Sequence, residues 1–325
     1  MRCVKSMAPF LGATLLFIAA PFALAQNFPS KPLRLIIPFP AGGTADIIAR
    51  LVNQKFSERI GQPVIAENRV GAGATIGSEL VAKSAPDGYT FLMTTTGTHL
   101  LTSLVSKNVP YDPLKDFTAI TGATESYSGL AVAPQLGINN VKELIDLARK
   151  NPGKHTYSSA GIGTAFHLTG ALFAAAGNVD LTHIPYKGAA QALNDLMSGT
   201  ITMTFSAITS QLPFLRSGKL KMIAVVGTKR FSEFPNVPSV SDTLPNFENI
   251  EAMTGFLGPA GLPAPILGRL NSELAAAVLS PEVRAKLEAD GNTPVGNTPE
   301  QFAAHLQRSH LSYVRAVKLV GLKPE

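Results

Sequence analysis

The chain reads as an α/β protein. Short apolar runs alternate with amphipathic stretches along most of its length, and glycine-bearing turns sit at several of the junctions between them. Its 325 residues suffice for about two domains. Hydrophobic residues make up 45% and charged residues 15%, a balance that supports a sizeable core and argues against disorder.

The elements follow in order. Leu33-Arg34-Leu35-Ile36-Ile37 forms a strand ended by Pro38, and a helix follows with Ile48, Leu51, Val52 and Phe56 on one face. Strands are expected over 64–67 and 90–94, with a helix over about 74–83 between them. The spacing of Val141, Leu144, Ile145 and Ala148 predicts a helix over 141–150. Asn140 and Glu143 suit a reciprocal cap at its start, and Asn151-Pro152-Gly153 stops it. Further strands are expected over 129–133, 156–159, 181–184, 201–205 and 220–226, with helices over 164–176 and 189–197. Thr298-Pro299-Glu300-Gln301 opens a long terminal helix packed through Phe302, Leu306, Tyr313, Val317 and Val320.

The first 25 residues read as a secretory signal peptide. Arg2 and Lys5 precede an apolar run over 8–22, and Ala23-Leu24-Ala25 supplies a small-x-small cleavage site, making Gln26 the mature start. An uncleaved anchor is the competing reading, but Pro9 and Pro21 interrupt the run before it reaches the roughly 20 residues of a membrane span. Cys3, the single cysteine, lies within this segment. The mature chain therefore lacks a disulfide, a thiol nucleophile and a thiolate metal site.

Lys and Arg number 28 against 22 Asp and Glu, a formal charge of +6, of which Arg2 and Lys5 carry two. The charges are scattered singly, and Trp is absent, which excludes a nucleic-acid-binding stripe. Gly71-Ala72-Gly73-Ala74-Thr75-Ile76-Gly77 places its last glycine one position late for a dinucleotide fingerprint. The six histidines are dispersed, with only His305 and His310 on one helix. No nucleophile–base pair or metal-ligand spacing emerges.

Three strand-to-helix junctions carry the functional signal. The first is Phe39-Pro40-Ala41-Gly42-Gly43-Thr44-Ala45-Asp46. The second is Ser158-Ser159-Ala160-Gly161-Ile162-Gly163-Thr164, and the third is Thr94-Thr95-Thr96-Gly97-Thr98-His99. Glycine lets backbone approach a ligand closely, and a helix that starts there leaves N–H groups and a positive dipole end for an anion. Ordinary βα turns, with Thr44 or Asp46 as a cap and hydroxyls serving local backbone, are the competing reading.

Taken together, the motifs resemble those of the solute-binding proteins of tripartite tricarboxylate transporters, the Bug family. The matching residues run in order through the mature chain: Lys31-Pro32-Leu33-Arg34, the Pro38–Asp46 turn, Glu67-Asn68-Arg69, Ala85-Pro86-Asp87-Gly88-Tyr89-Thr90 and Tyr111-Asp112-Pro113-Leu114-Lys115-Asp116-Phe117. Asn151-Pro152-Gly153-Lys154, the Ser159–Thr164 turn with His167-Leu168, Pro185-Tyr186-Lys187-Gly188, Pro259-Ala260-Gly261 and Thr298-Pro299-Glu300-Gln301-Phe302 complete the series.

The resemblance implies a two-lobed, type II (Venus-flytrap) α/β fold with two crossing strands, near 124–128 and 250–255. Residues 26–125 and 252–325 would form one lobe and 126–251 the other. It implies a periplasmic receptor, a monomer without cofactor, catalysis or nucleic acid. Its partners would be a small organic carboxylate, di- or tricarboxylic or aromatic, and the membrane components of the transporter. The ligand would be bound by Phe39, Ala41, Gly42, Gly43, Thr44 and Asp46, by Thr96, Thr98 and His99, by Ser159, Ala160, Gly161, Gly163 and Thr164, and by Tyr186, Lys187 and Gly188. Many relatives carry an acid, suited to a ligand ammonium, where this chain has Phe205-Ser206-Ala207. Ser206 is therefore expected at the site, with a ligand that lacks an amino group, unless its side chain points away. Thr96 stands where asparagine is frequent, and Phe166 where a smaller residue is. A sensor for a membrane kinase would share this fold. An enzyme in the same cleft would need a pair such as Asp46 with His99 or His167.

Overall fold

The computed structural model describes residues 28–159, 161–162, 164–186, 189–227, 230–250 and 252–323. The expected signal peptide lies outside the described residues, as do Ala160, Gly163, Lys187 and Gly188 of the expected site.

Strands β1 (Leu33–Ile37), β2 (Val64–Asn68) and β3 (Thr90–Thr95) alternate with helices α1 (Thr44–Ile60), α2 (Thr75–Ala82) and α3 (Thr96–Val105). Strand β4 (Phe117–Ser126) completes this half, and a single residue, Tyr127, separates it from β5 (Ser128–Val132) in a second sheet. Next come α4 (Val141–Lys150), β6 (Thr156–Ser159), α5 (Ala165–Gly177), β7 (Thr182–Pro185), α6 (Ala189–Met197), β8 (Met203–Ala207), α7 (Ile208–Arg216) and β9 (Lys221–Val226). After the short α8 (Val240–Thr243), β10 (Ala252–Pro259) returns to the first sheet. The chain ends with α9 (Ala264–Val278), α10 (Pro281–Ala289), β11 (Asn292–Pro294) and α11 (Pro299–Leu319).

The first sheet has the order β11-β4-β10-β3-β1-β2 and the second β7-β6-β8-β5-β9. β1 runs parallel to both its neighbours, as does β6, so the helices that follow β1, β3, β6 and β8 start at carboxyl ends of strands. β10 lies antiparallel between β3 and β4, and β5 lies antiparallel between β8 and β9. The outward crossing joins β4 to β5, and the return leaves the edge strand β9 for β10 in the middle of the first sheet.

Alternation along the strands divides the core. Leu33, Leu35 and Ile37 of β1 point to one face with Phe91 and Met93, where Val52 and Phe56 of α1 and Leu270 and Leu274 of α9 cover them. Ile36 and Leu92 point to the other face. There the apolar contact continues without a break through Phe302 and Tyr313 of α11 to Leu168 and Phe173 of α5 and Phe205 of β8. Helix α11 therefore packs on its own sheet and on the other lobe.

The local signals act as expected at the well-marked ends. The Thr298 hydroxyl accepts from Gln301 N–H at 3.3 Å, and Gln301 Oε1 accepts from Thr298 N–H at 3.1 Å. Asn140 Oδ1 accepts from Glu143 N–H at 2.9 Å, while its Nδ2 donates to Glu143 Oε1 at 2.8 Å. The strand expected over 201–205 forms as Met203–Ala207, two residues later, and α7 leaves it with no intervening turn.

Candidate functional site

Pro38 ends β1, and the chain turns through Gly42 at φ +78°, a conformation open to glycine at no steric cost. Gly42 N–H donates to Asp46 Oδ2 at 2.9 Å and Gly43 N–H to Pro40 O at 3.3 Å. Asp46 is 3% exposed. It also accepts from Arg50 Nε at 3.0 Å and from Asn68 Nδ2 at 2.8 Å, and the same amide group donates to Phe39 O at 2.9 Å. Burial pushes the Asp46 pKa up, but the bonds from Arg50, Asn68 and Gly42 outweigh it and hold the carboxyl below its usual range. Asp46 thus braces the turn, with its carboxylate directed inward. Arg50 of α1 and Asn68 of β2 complete the brace; the Glu67-Asn68-Arg69 motif marks the end of β2 without disclosing the contact.

The two glycine N–H groups are consumed within the turn, so the expected bare donors lie one step further on. Gly43 caps α1 with no side-chain bond, and its first turn starts at an exposed Thr44. The N–H groups of 44–46 have no acceptor within the helix.

In the second sheet, Gly161 turns the chain at φ +132° before α5. Ser159 Oγ donates to Gly161 O at 2.9 Å, accepts from Gly161 N–H at 3.1 Å and meets His183 Nε2 at 2.7 Å. Thr164 donates to the same carbonyl at 2.8 Å and caps His167 N–H at 3.4 Å. The His183 ring stacks on His167 with centroids 4.0 Å apart. Burial, then the neighbouring His167, lowers the His183 pKa to about 4. Ile162, at the tip of this turn, is 68% exposed.

At α3 the hydroxyl run divides between strand and helix. Thr95 caps the helix through Thr98 N–H at 3.1 Å and donates to Thr98 Oγ1 at 3.0 Å. Two side chains expected at the site turn inward instead. Thr96 Oγ1 donates to Met253 O at 3.0 Å. His99 is buried among Tyr111 and Phe117, donates from Nε2 to Pro113 O at 2.8 Å, and has its pKa pushed down to about 4 by that burial. The ring faces the core because the apolar side of α3 must cover the sheet.

Ser206 is likewise enclosed. It is 5% exposed and its hydroxyl accepts from Gln211 Nε2 at 2.9 Å, so the strand-end residue beside α7 is Ala207, one position on. The expected argument from Ser206 against a ligand amino group therefore has no footing at that residue. Tyr186 donates to Asp195 Oδ2 at 2.7 Å and is also buried. Phe166 is partly buried against the inter-lobe core.

The two lobes meet along this row of helix starts. A methyl group placed on Gly97 of α3 would lie 3.9 Å from the Ala165 Cβ of α5. A separate cavity of about 390 Å³ is lined from the first sheet's lobe by Thr44, Ile47, Ile48, Asp290 and Asn292. Thr209, Leu212, Pro213 and Arg216 line it from α7. Like α1, α7 has no side-chain cap. The uncapped start of α1 and the flank of α7 thus border one space from different sheets. α7 carries no glycine turn, which is why the sequence does not single it out. Among the described residues no cluster of three or more His, Cys, Asp or Glu is arranged for a metal ion, and no helix is long and apolar enough to cross a membrane.

The family model for the "tripartite tricarboxylate transporter family receptor" matches residues 48–322. The chain belongs to the tripartite tricarboxylate transporter receptor family. Receptors of this family are periplasmic solute-binding proteins rather than enzymes, and the chain has their two-lobed type II fold. Among curated relatives, a Pseudomonas sp. (strain P51) protein encoded between tcbD and tcbE is 38% identical over 85% of this chain and 82% of its own length. BugT of Bordetella pertussis is 31% identical over 94% of each, in keeping with the Bug resemblance. Among solved receptors, an R. palustris protein with adipate is 31% identical with a TM-score of 0.74, covering 92% of this chain and 100% of that one. MatC of Rhodopseudomonas palustris, with bound malate, is 29% identical with a TM-score of 0.70, covering 89% of this chain and 100% of that one.

Proposed function

We propose that this receptor captures a small carboxylate in the periplasm by closing its lobes on it, and passes it to the membrane components of a tripartite transporter. The observation that carries the reading is one cavity between the two sheets, bordered by the uncapped first turn of α1 on one side and by the flank of α7 on the other. The lobes in this reading are residues 26–125 with 252–325, and 126–251, after removal of a signal peptide ending at Ala25.

A carboxylate suits this wall better than a cation does. The donors are the free backbone N–H groups at the positive dipole end of α1, joined by the Thr44 and Thr209 hydroxyls. Each charge-assisted bond contributes about 1.5–3 kcal/mol, and micromolar affinity needs roughly 8 kcal/mol in total. Three or four such bonds, backed by apolar contact with Ile47, Ile48 and Leu212, reach that range before ordering costs. Donors from both lobes are engaged together only in the closed form, so the ligand favours closure by its differential affinity. The adipate and malate held by related receptors support a dicarboxylate of similar size. Capture rather than chemistry is supported by Asp46, whose oxygens are already held by its own turn, and by His99, which is in the core.

Native mass spectrometry of the protein purified from its own periplasm tests the reading. A co-purified small carboxylic acid is expected; a phosphorylated compound or a sugar in its place would contradict it.

A further inference from the structure

Asp290 and Gly291 form the turn between α10 and β11, and this turn of the first sheet's lobe sits directly on α7 of the other. A methyl group on Gly291 would lie 2.7 Å from Thr209 Cγ2 and 3.8 Å from Leu212 Cδ1, so no side chain fits there. Asn292, 5% exposed, fastens the turn from behind. Its Oδ1 accepts from the Ser126 hydroxyl at 2.9 Å, and its Nδ2 donates to Asp290 O at 3.4 Å. Ser126 is the last residue of β4, so the turn is tied to the outward crossing strand. Asp290 is thereby held at the wall of the cavity that α1 and α7 border.

The polar side chains of that wall differ in what they can still bind. Asn292 is engaged as described. Arg216 donates from Nε and Nη2 to the Glu233 carboxylate at 2.7 and 2.8 Å, so its charge is already matched. Thr44 and Thr209 are neutral. Asp290 is exposed, and its carboxylate has no hydrogen-bond or ion-pair partner among the described residues. The cavity therefore offers an unmatched negative charge as well as the positive start of α1. An exposed carboxylate is hydrated, and a ligand that displaces its water must replace those donors. A bare hydrocarbon segment does not replace them, and a second carboxylate there adds repulsion. A hydroxyl or ammonium group does replace them, the ammonium with the help of its charge.

We infer that Asp290 is a specificity-determining residue: it accepts a hydrogen bond from a hydroxyl or ammonium group on the captured acid, whose carboxylate lies at the start of α1. The inference rests on the reading of the chain as a carboxylate receptor. It narrows that reading to acids with a hydrogen-bond donor on their carbon chain. It also gives the neighbours of Asp290 a role. Gly291 lets the turn seat on α7, and Asn292 fixes its direction, so the acid faces the ligand when the lobes are together.

Calorimetry with succinate, malate and aspartate, and with glutarate, 2-hydroxyglutarate and glutamate, tests this. Within each series one substituent changes, from hydrogen to hydroxyl to ammonium. In at least one series, wild type should bind the hydroxy or the amino acid about tenfold or more tighter than the plain acid, the value of one good hydrogen bond. Asp290→Ala should reduce that preference to within about threefold. Its melting temperature should match wild type, because the carboxylate holds no other group. Asp290→Asn keeps an acceptor but loses the charge, so it separates the two donors: an ammonium ligand loses most of its advantage and a hydroxyl ligand little. Plain acids bound by wild type as tightly as their substituted forms would overturn the inference and leave the carboxylate reading standing. So would binding confined to carboxylates without a donor, or a preference that survives in Asp290→Ala. If no carboxylate binds wild type, the carboxylate reading itself fails and takes the inference with it.

Discussion

Gly42 N–H donates to Asp46 Oδ2 at 2.9 Å, so the acid at the start of α1 is spent on the turn that precedes it. This bond, with those from Arg50 and Asn68, ties β1, α1 and β2 together at the point where α1 presents its free N–H groups. Asp46→Ala strands three donors, two of them in or beside the turn. It should cost about 2 kcal/mol of stability and weaken carboxylate binding together. Chemical denaturation and calorimetry on the same preparation measure both; lost stability with unchanged affinity would separate the turn from the site.

Gly42 itself adopts φ +78° with nothing near the space a Cβ would fill, so glycine is needed there for conformation and not for room. Gly42→Ala should therefore cost about 1 kcal/mol through backbone strain alone. A melting temperature equal to wild type would show that the turn relaxes without penalty.

Much of the fold is legible in the sequence because its signals are local. Thr298 with Gln301, and Asn140 with Glu143, mark helix starts within four residues. The apolar runs at 33–37 and 90–94 locate strands whose partners need not be known. What escaped depends on distance or on disguise. Pro213 sits inside α7 and no turn precedes it, so the helix does not stand out from the strand before it. Ile201 and Met203 are both apolar, so the start of β8 slips by two residues and Ser206 is taken for the strand-end position. The glycine turns correctly drew attention to the helix starts. Yet the carboxylate that consumes the Gly42 N–H, and the Asn68 amide 22 residues away that supports it, are facts of packing. So is the direction of the His99 ring, which Tyr111 and Phe117 decide.

Two histidines, His99 in the core and the partly buried His183, set a pH dependence. His99 and His183 titrate near 4 in the folded chain, below the usual 6.5, because burial opposes their charge. Between those values the unfolded chain binds more protons than the folded one, so stability rises with pH across the window from 4 to 6.5. The melting temperature should fall by several degrees from pH 7 to pH 5, and His183→Gln should flatten part of that slope. A melting temperature that rises on acidification over this range would contradict the assignment.

The cavity between α1 and α7 gives a steric test. Thr209→Trp would push an indole into this cavity from the α7 wall. Carboxylate affinity should fall at least about tenfold, and a melting curve of the same variant checks that it is folded, since Thr209 also packs against Gly291. Retained affinity in a well-folded variant would move the ligand elsewhere.

The central claim is that the cleft captures a carboxylate through the free N–H groups at the start of α1. Calorimetric titration of the wild-type protein with succinate, malate, adipate, citrate and benzoate, beside inorganic phosphate and glucose, tests it most directly. Saturable one-to-one binding of at least one carboxylate, near micromolar and well ahead of phosphate and glucose, is expected. Binding of phosphate or glucose with no heat from any carboxylate would contradict it.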